Sequence, residues 1–103
     1  MSPRFSWKDE QVKLAPKKPG AYVLEYNGTI VYIGSAESSI HSRLCSHKKA
    51  ARFLKVTHFR FKEVEWKSEA REEEHKLTEA FKKKNGGKLP RIQQKGAGKP
   101  SIW

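Results

Sequence analysis

Asn27-Gly28 joins two runs of β-forming residues, GAYVLEY over 20–26 and TIVYIG over 29–34. An Asn-Gly pair between such runs is the strongest short-range hairpin signal, because a two-residue type I′ turn needs positive φ at both central positions. The pair commits residues 20–34 to two adjacent antiparallel strands. It also puts Tyr22 and Tyr32 on neighbouring strands.

The rest of the chain must pack around that hairpin. Residues 1–19 read as an irregular segment broken by Pro3, Pro16 and Pro19, with Phe5, Trp7, Val12 and Leu14 able to pack on the domain. Gly34-Ser35-Ala36 leaves the second strand, and a helix is expected from about Glu37 or Ser38 to about Leu54. Its apolar stripe is Ile40, Leu44, Ala51 and Leu54. His47 lies in that stripe and Arg43 borders it, one turn away on the same face. Residues 56–66 (VTHFRFKEVEW) read as a third strand, with a bulge near Lys62-Glu63 reconciling Phe59 and Phe61 with Val64 and Trp66. Trp66 is then a core residue. A second helix runs over 68–84 and stops at Asn85-Gly86-Gly87. Residues 88–103 read as loop, with 94–103 a C-terminal tail. The order β-β-α-β-α predicts one α+β domain over 20–93, a small three-stranded antiparallel sheet flanked by helices.

The second helix carries a chemical anomaly. At about 100° per residue, Ala70, Leu77 and Phe81 share a stripe, and Glu74 falls inside it, while Glu72 and Glu79 point to solvent. A carboxylate directed inward is costly unless it is paired or binds a metal. It is a candidate for chemistry, with a supporting partner for a buried Arg as the plainer reading.

Charge narrows the partner. The chain has 22 Lys and Arg against 11 Asp and Glu, a formal net charge of +11 over 103 residues. That excess favours a polyanion, nucleic acid first. A membrane surface is disfavoured, because the basic helix face lacks a Trp/Phe/Leu insertion face. No apolar run approaches the ~20 residues of a membrane span, and the first ten residues do not read as a signal peptide. The expected location is cytoplasmic, or with DNA in nucleoid or nucleus, and not secreted. A single Cys45 excludes an intrachain disulfide framework and a multi-thiolate zinc site. His41, His58 and His75 have no spacing that suggests a metal, and the Gly96-Ala97-Gly98 run has no strand-to-helix context.

Gly20-Ala21-Tyr22, then Val31-Tyr32-Ile33-Gly34, then Arg43 with His47 four residues on, then Glu74 with Leu77 after it, stand in one order. The constellation resembles the GIY-YIG nuclease superfamily, as a small stand-alone member, with Ala21 where Ile is usual. The resemblance covers about residues 19–93. It implies hydrolysis of a phosphodiester bond with one divalent cation, Mg²⁺ or Mn²⁺, held by Glu74. Arg43 would bind a phosphate oxygen. Tyr22 would accept the proton of the attacking water once a nearby Arg or metal had lowered its pKa. Tyr32 and His47 would position the water or assist proton transfer. Gly20 and Gly34 would be supporting positions, with Gly34 letting the chain pass close to substrate. Gln93, after Leu89-Pro90-Arg91-Ile92, stands where the family has Asn.

Two classes of function follow. One is a metal-dependent DNA endonuclease with little sequence preference, of a kind found in DNA repair or mobile elements. Its nucleic-acid contacts would come from Arg43, Lys48, Lys49, Lys82 and Lys83. It would act alone, as a homodimer, or with a partner that gives specificity. The alternative is a non-catalytic basic nucleic-acid-binding module on the same fold.

Overall fold

The computed structural model describes residues 1–93; the sequence-based readings for the tail, Trp103 and Gly96-Ala97-Gly98 included, lie outside the described residues. The elements are β1 (Phe5–Ser6), α1 (Asp9–Val12), β2 (Gly20–Tyr26), β3 (Thr29–Ala36), α2 (Ile40–Lys48), β4 (His58–Glu63) and α3 (Lys67–Lys84), with 3₁₀ turns at Ala51–Phe53 and Arg91–Gln93. The sheet is antiparallel in the order β1-β4-β2-β3. The α+β class and the hairpin stand as expected. Asn27 and Gly28 adopt φ of 47° and 88°, the pair of left-handed conformations that the turn requires.

The sheet has four strands where the sequence predicts three. Phe5 pairs with Phe59 and packs its ring on Phe59 and Phe61 at 5.6 and 5.8 Å. Two residues are too few to show a period, so nothing in the sequence marks this strand. The N-terminal segment is correspondingly not irregular throughout. Trp7 and Val12 are buried against the domain, whereas Leu14 is exposed.

Three further expectations change. The first helix stops at Lys48, and Ala50 is extended at ψ 129°. The break turns Phe53 inward, in contact with Tyr32 and His47, and leaves Leu54 exposed. A buried Phe removes more apolar surface from water than the Leu that helical continuation would have buried. The third strand ends at Glu63, opposite Gly20, because β2 offers no partner beyond its first residue. Val64 instead donates to the Pro19 carbonyl, and Trp66, expected in the core, is 67% exposed at the start of α3. The bulge lies in the hairpin: Leu24 faces Tyr32 and Glu25 faces Ile30, which leaves Val31 as the extra residue.

Both faces of the sheet are covered. Tyr22, Leu24 and Phe59 join Trp7, Ile40, Leu44 and Phe53 in a core against α1 and α2. Ala21, Val23 and Ile33, which alternate with them, are buried on the face that α3 covers with Ala70. Glu69 reaches back to accept from the Trp66 amide at 3.0 Å, closing the first turn of α3. Among the described residues no helix is long and apolar enough to cross a membrane.

Candidate active site

Tyr22 sits mid-strand on β2, opposite Gly34. Its ring lies over that glycine: a Cβ at Gly34 would stand 2.6 Å from the phenol oxygen and 2.7 Å from Cζ. Gly34 is therefore needed by Tyr22, a packing role that the sequence did not suggest. Gly20 is equally packed, since a Cβ there would meet the Lys62 carbonyl at 2.2 Å. Tyr22 has no exposed surface, and its hydroxyl is 2.6 Å from Nε2 of His47 on α2.

Burial governs both partners. It lowers the His47 pKa to about 4, with Arg43 and Arg52 adding to the effect, so the imidazole is neutral near pH 7. Burial also pushes the Tyr22 phenol well up, with Tyr32 adding to the rise and Arg43 opposing it. The pair is then a phenol that keeps its proton and a neutral ring. The hydroxyl donates and Nε2 accepts. Of the two influences expected to bring Tyr22 down, an Arg or a metal, Arg43 acts in that direction but desolvation outweighs it.

Tyr32 stacks beside Tyr22 at 6.4 Å between centroids and meets His47 and Phe53 edge-on at 5.3 and 5.1 Å. The Arg52 guanidinium covers Phe53 at 4.9 Å and Tyr32 at 5.9 Å. Neither Phe53 nor Arg52 carried a sequence signal, because both were assigned to a continuous helix whose register the break at Ala50 alters.

Glu74 reaches the site from the other face of the sheet, through Ser35. The Ser35 hydroxyl donates to Glu74 Oε1 at 2.5 Å. Among the described residues Oε2 accepts no hydrogen bond. Glu74 is half-buried and lines an open hollow of about 490 Å³ with Ser35, Arg71, His75 and Thr78. A second hollow, sharing Ser35 and Arg71, holds Arg43. Arg43 is exposed on α2, one turn before His47. Its pKa is raised by Tyr22 first, and also by Tyr32 and Glu74. Four elements thus bring Tyr22, Tyr32, Arg43, His47 and Glu74 into one neighbourhood.

Among the described residues no group of three or more His, Cys, Asp or Glu could form a metal cage. A hard cation such as Mg²⁺ needs none, because it keeps several waters and is commonly bound by one or two carboxylates plus substrate phosphate. One half-buried carboxylate with an oxygen to spare, in an open hollow, fits that mode of binding.

The supporting residues divide. The Gln93 amide grips the outer edge of β3 at two points. Its Oε1 accepts from Ile33 N at 2.9 Å and its Nε2 donates to Ile33 O at 2.8 Å. Lys48 is committed to structure: its ammonium donates to the Trp7 carbonyl at 2.9 Å and lies 5.3 Å from the Trp7 ring. Lys82 stands 3.6 Å from Glu79, an exposed pair of small energetic weight. Lys49 and Lys83 are exposed. Sequence reasoning passed over the most buried carboxylate. Glu25 is 1% exposed and is held by Arg4 and by Arg60, the latter at 3.1 Å.

The fold is that of the GIY-YIG N-terminal endonuclease domain of UvrC from Thermotoga maritima, in a structure bound to its catalytic magnesium: TM-score 0.66, 22% identity, covering 82% of this chain and 93% of that one. An asparagine-to-alanine mutant of that domain, bound to its catalytic divalent cation, gives 0.66 and 22% over 84% of this chain and 93% of that one. A tyrosine-to-phenylalanine mutant gives 0.65 and 21% over 82% and 91%. No family model matches the sequence, and no curated protein matches it. At this identity the likeness is one of fold.

Proposed function

We propose that the chain is a divalent-metal-dependent endonuclease that hydrolyses phosphodiester bonds in DNA with little sequence preference of its own. The observation that carries the reading is that the hollow lined by Arg43 adjoins the one lined by Glu74 through Ser35 and Arg71, one helical turn from the Tyr22–His47 hydrogen bond. A guanidinium there binds a phosphate oxygen and offsets charge that develops during hydrolysis. Glu74 would hold Mg²⁺ or Mn²⁺, which would stabilise the scissile phosphate and the leaving oxygen. Ser35 holds the carboxylate in register for it.

The proton is handled by Tyr22 and His47. The phenol oxygen takes a proton from the attacking water as its own proton passes along the 2.6 Å bond to His47 Nε2. The hydroxide so formed attacks phosphorus. Since Tyr22 has no exposed surface, Tyr32 and Arg43 must part to admit the water. Gln93 fixes the β3 edge that carries Tyr32, Gly34 and Ser35. With one site per domain, each event cuts one strand; a double-strand break needs a second copy or a second visit. The net charge of +11 supports binding dominated by phosphate contacts and therefore steeply dependent on salt.

One observation favours a second reading, a nucleic-acid-binding module without catalysis: the phenol that should act as base is buried and holds its proton. A plasmid-nicking assay separates the two. Wild type and Glu74→Ala are compared with Mg²⁺, with Mn²⁺ and with chelator. The nuclease converts supercoiled DNA to nicked form only with metal, and Glu74→Ala loses that conversion. If neither protein cuts plasmid, branched DNA or RNA with any metal, while both bind in a salt-sensitive way, the module stands and the nuclease falls.

A further inference from the structure

Two hollows meet along the outer edge of β3, and they share no lining residue with the hollows around Glu74 and Arg43. One, of about 480 Å³, lies between the hairpin and the C-terminal end of α3. The other, of about 380 Å³, lies between the hairpin and the Ala51–Phe53 turn. Tyr26, Val31 and Arg91 border both, so the two form one groove. Arg52, Lys55, Lys88 and Arg91 line it, and no carboxylate does. In a chain with 11 acidic residues, such one-sided charge along a continuous groove is complementary to a polyanion.

The floor is apolar and has an aromatic face. Tyr26 is 39% exposed and Leu54 is 78% exposed. Cations along a groove, with an exposed ring between them, suit an unpaired strand. Phosphates follow the charges while a base stacks on the aromatic face. A duplex can use the charges but not the ring, because its base faces are covered by their neighbours and only the edges reach the grooves. The groove also connects to the proposed chemistry. Arg52 lines it and at the same time covers Tyr32 and lowers the His47 pKa.

We infer that this groove holds single-stranded DNA adjoining the scissile phosphate, with phosphates on Arg52, Lys55, Lys88 and Arg91 and a base on Tyr26. The substrate of the proposed nuclease then carries unpaired nucleotides beside the cut, as a flap, bubble or frayed end does. The inference rests on the nuclease reading for its place in a reaction, but the groove can be tested without any chemistry.

The test is binding in chelator, where nothing is cut. The full-length protein is titrated into a labelled single strand of about 12 nucleotides carrying 2-aminopurine, and into the matching duplex, over a range of salt. The single strand binds more tightly and its 2-aminopurine emission changes as the base stacks. Tyr26→Ala weakens the single strand about tenfold, abolishes the emission change and leaves duplex binding within about twofold, while Tyr26→Phe keeps both. The double variant Lys55→Ala/Arg91→Ala lowers the salt slope on the single strand by about 1.4. Circular dichroism establishes that each variant is folded.

Equal losses on duplex and single strand, or no loss at all in Tyr26→Ala, overturn the inference. So does a change in the oligomeric state of free Tyr26→Ala, which would mean that a second copy covers the ring. RNA of the same sequence binding more tightly than DNA overturns the choice of DNA. The nicking assay fails or succeeds separately. Tyr26-dependent binding without any Glu74-dependent cutting removes the nuclease and keeps the groove. Cutting with Tyr26-independent binding does the reverse.

Discussion

Replacing Gly34 by alanine puts a methyl group where the Tyr22 ring lies. The added Cβ would be 2.6 Å from the phenol oxygen, 2.7 Å from Cζ and 3.0 Å from Cε1. Ordinary carbon contacts begin at about 3.5 Å, so the ring must retreat by roughly 0.8 Å at Cζ. It has little freedom to do so. Tyr22 is fully buried, its hydroxyl is fixed to His47 at 2.6 Å, and its ring is bounded by Tyr32 and His47. Overpacking of a close-packed site costs about 1–3 kcal/mol. For a domain of this size that lowers Tm by about 5–20 °C.

A double-mutant cycle isolates the cause. Gly34→Ala is made in wild type and in Tyr22→Ala, and each protein is unfolded in urea. The cost of Gly34→Ala should fall from about 1–3 kcal/mol in wild type to within about 0.5 kcal/mol in the Tyr22→Ala background, because the atoms it strikes are gone. The Nε2 resonance of His47 should shift in the single variant as the phenol withdraws. If Gly34→Ala is as stable as wild type and yet loses DNA cleavage, the glycine serves the approach of substrate, and the packing argument is wrong.

Three other perturbations have defined outcomes. Glu25→Ala strands Arg4 and Arg60, but their side chains are 48% and 30% exposed and can rehydrate, so the loss measured in urea should be about 2–3 kcal/mol, at or below the lower end for breaking a buried ion pair. Gln93→Asn is one methylene too short to reach both Ile33 groups, and should cost about 1 kcal/mol and speed amide exchange at Ile33, with Gln93→Ala costing more. For His47 the folded pKa of about 4 lies below the ordinary 6.5, so the unfolded chain binds more protons between them. Stability should therefore fall as pH drops from about 6.5 to about 4, by at most about 1.4 kcal/mol per pH unit, and the slope should shrink in His47→Gln.

Features set by local chemistry could be read directly from the sequence. Asn27-Gly28 demanded a turn that few other pairs can make, and the turn carries Tyr22 and Tyr32 to neighbouring strands. The periodicity of α3 brought out Glu74 as the odd member of its stripe. What failed was set by tertiary packing. A two-residue strand is stabilised by Phe5 against Phe59 and Phe61, contacts more than fifty residues distant in the chain. The stop after Lys48 follows from the demand for Phe53 in the core, where it meets Tyr32 and His47. A helical wheel has no access to that competition.

The two inward carboxylates show why a helix stripe finds some sites and misses others. Glu25 is the more buried, but it sits on a strand buried on both faces, where alternation gives no warning. Its charge is met by Arg4, just before β1, and by Arg60, on β4, and both of its oxygens are engaged. A carboxylate satisfied in that way is a structural joint. Glu74 is less buried and receives one hydroxyl, from Ser35, while Arg43 is close enough to interact with its charge. On the proposed function, depth of burial therefore ranks the two in the wrong order for chemistry. What marks Glu74 is incomplete pairing beside an open hollow, because an oxygen left over there can hold a hydrated cation. An Arg4→Met/Arg60→Met variant removes both charges while largely keeping the side-chain bulk over Glu25, leaving a buried, unpaired carboxylate without a hollow opened beside it. It should gain no metal affinity in titration calorimetry and should only lose stability.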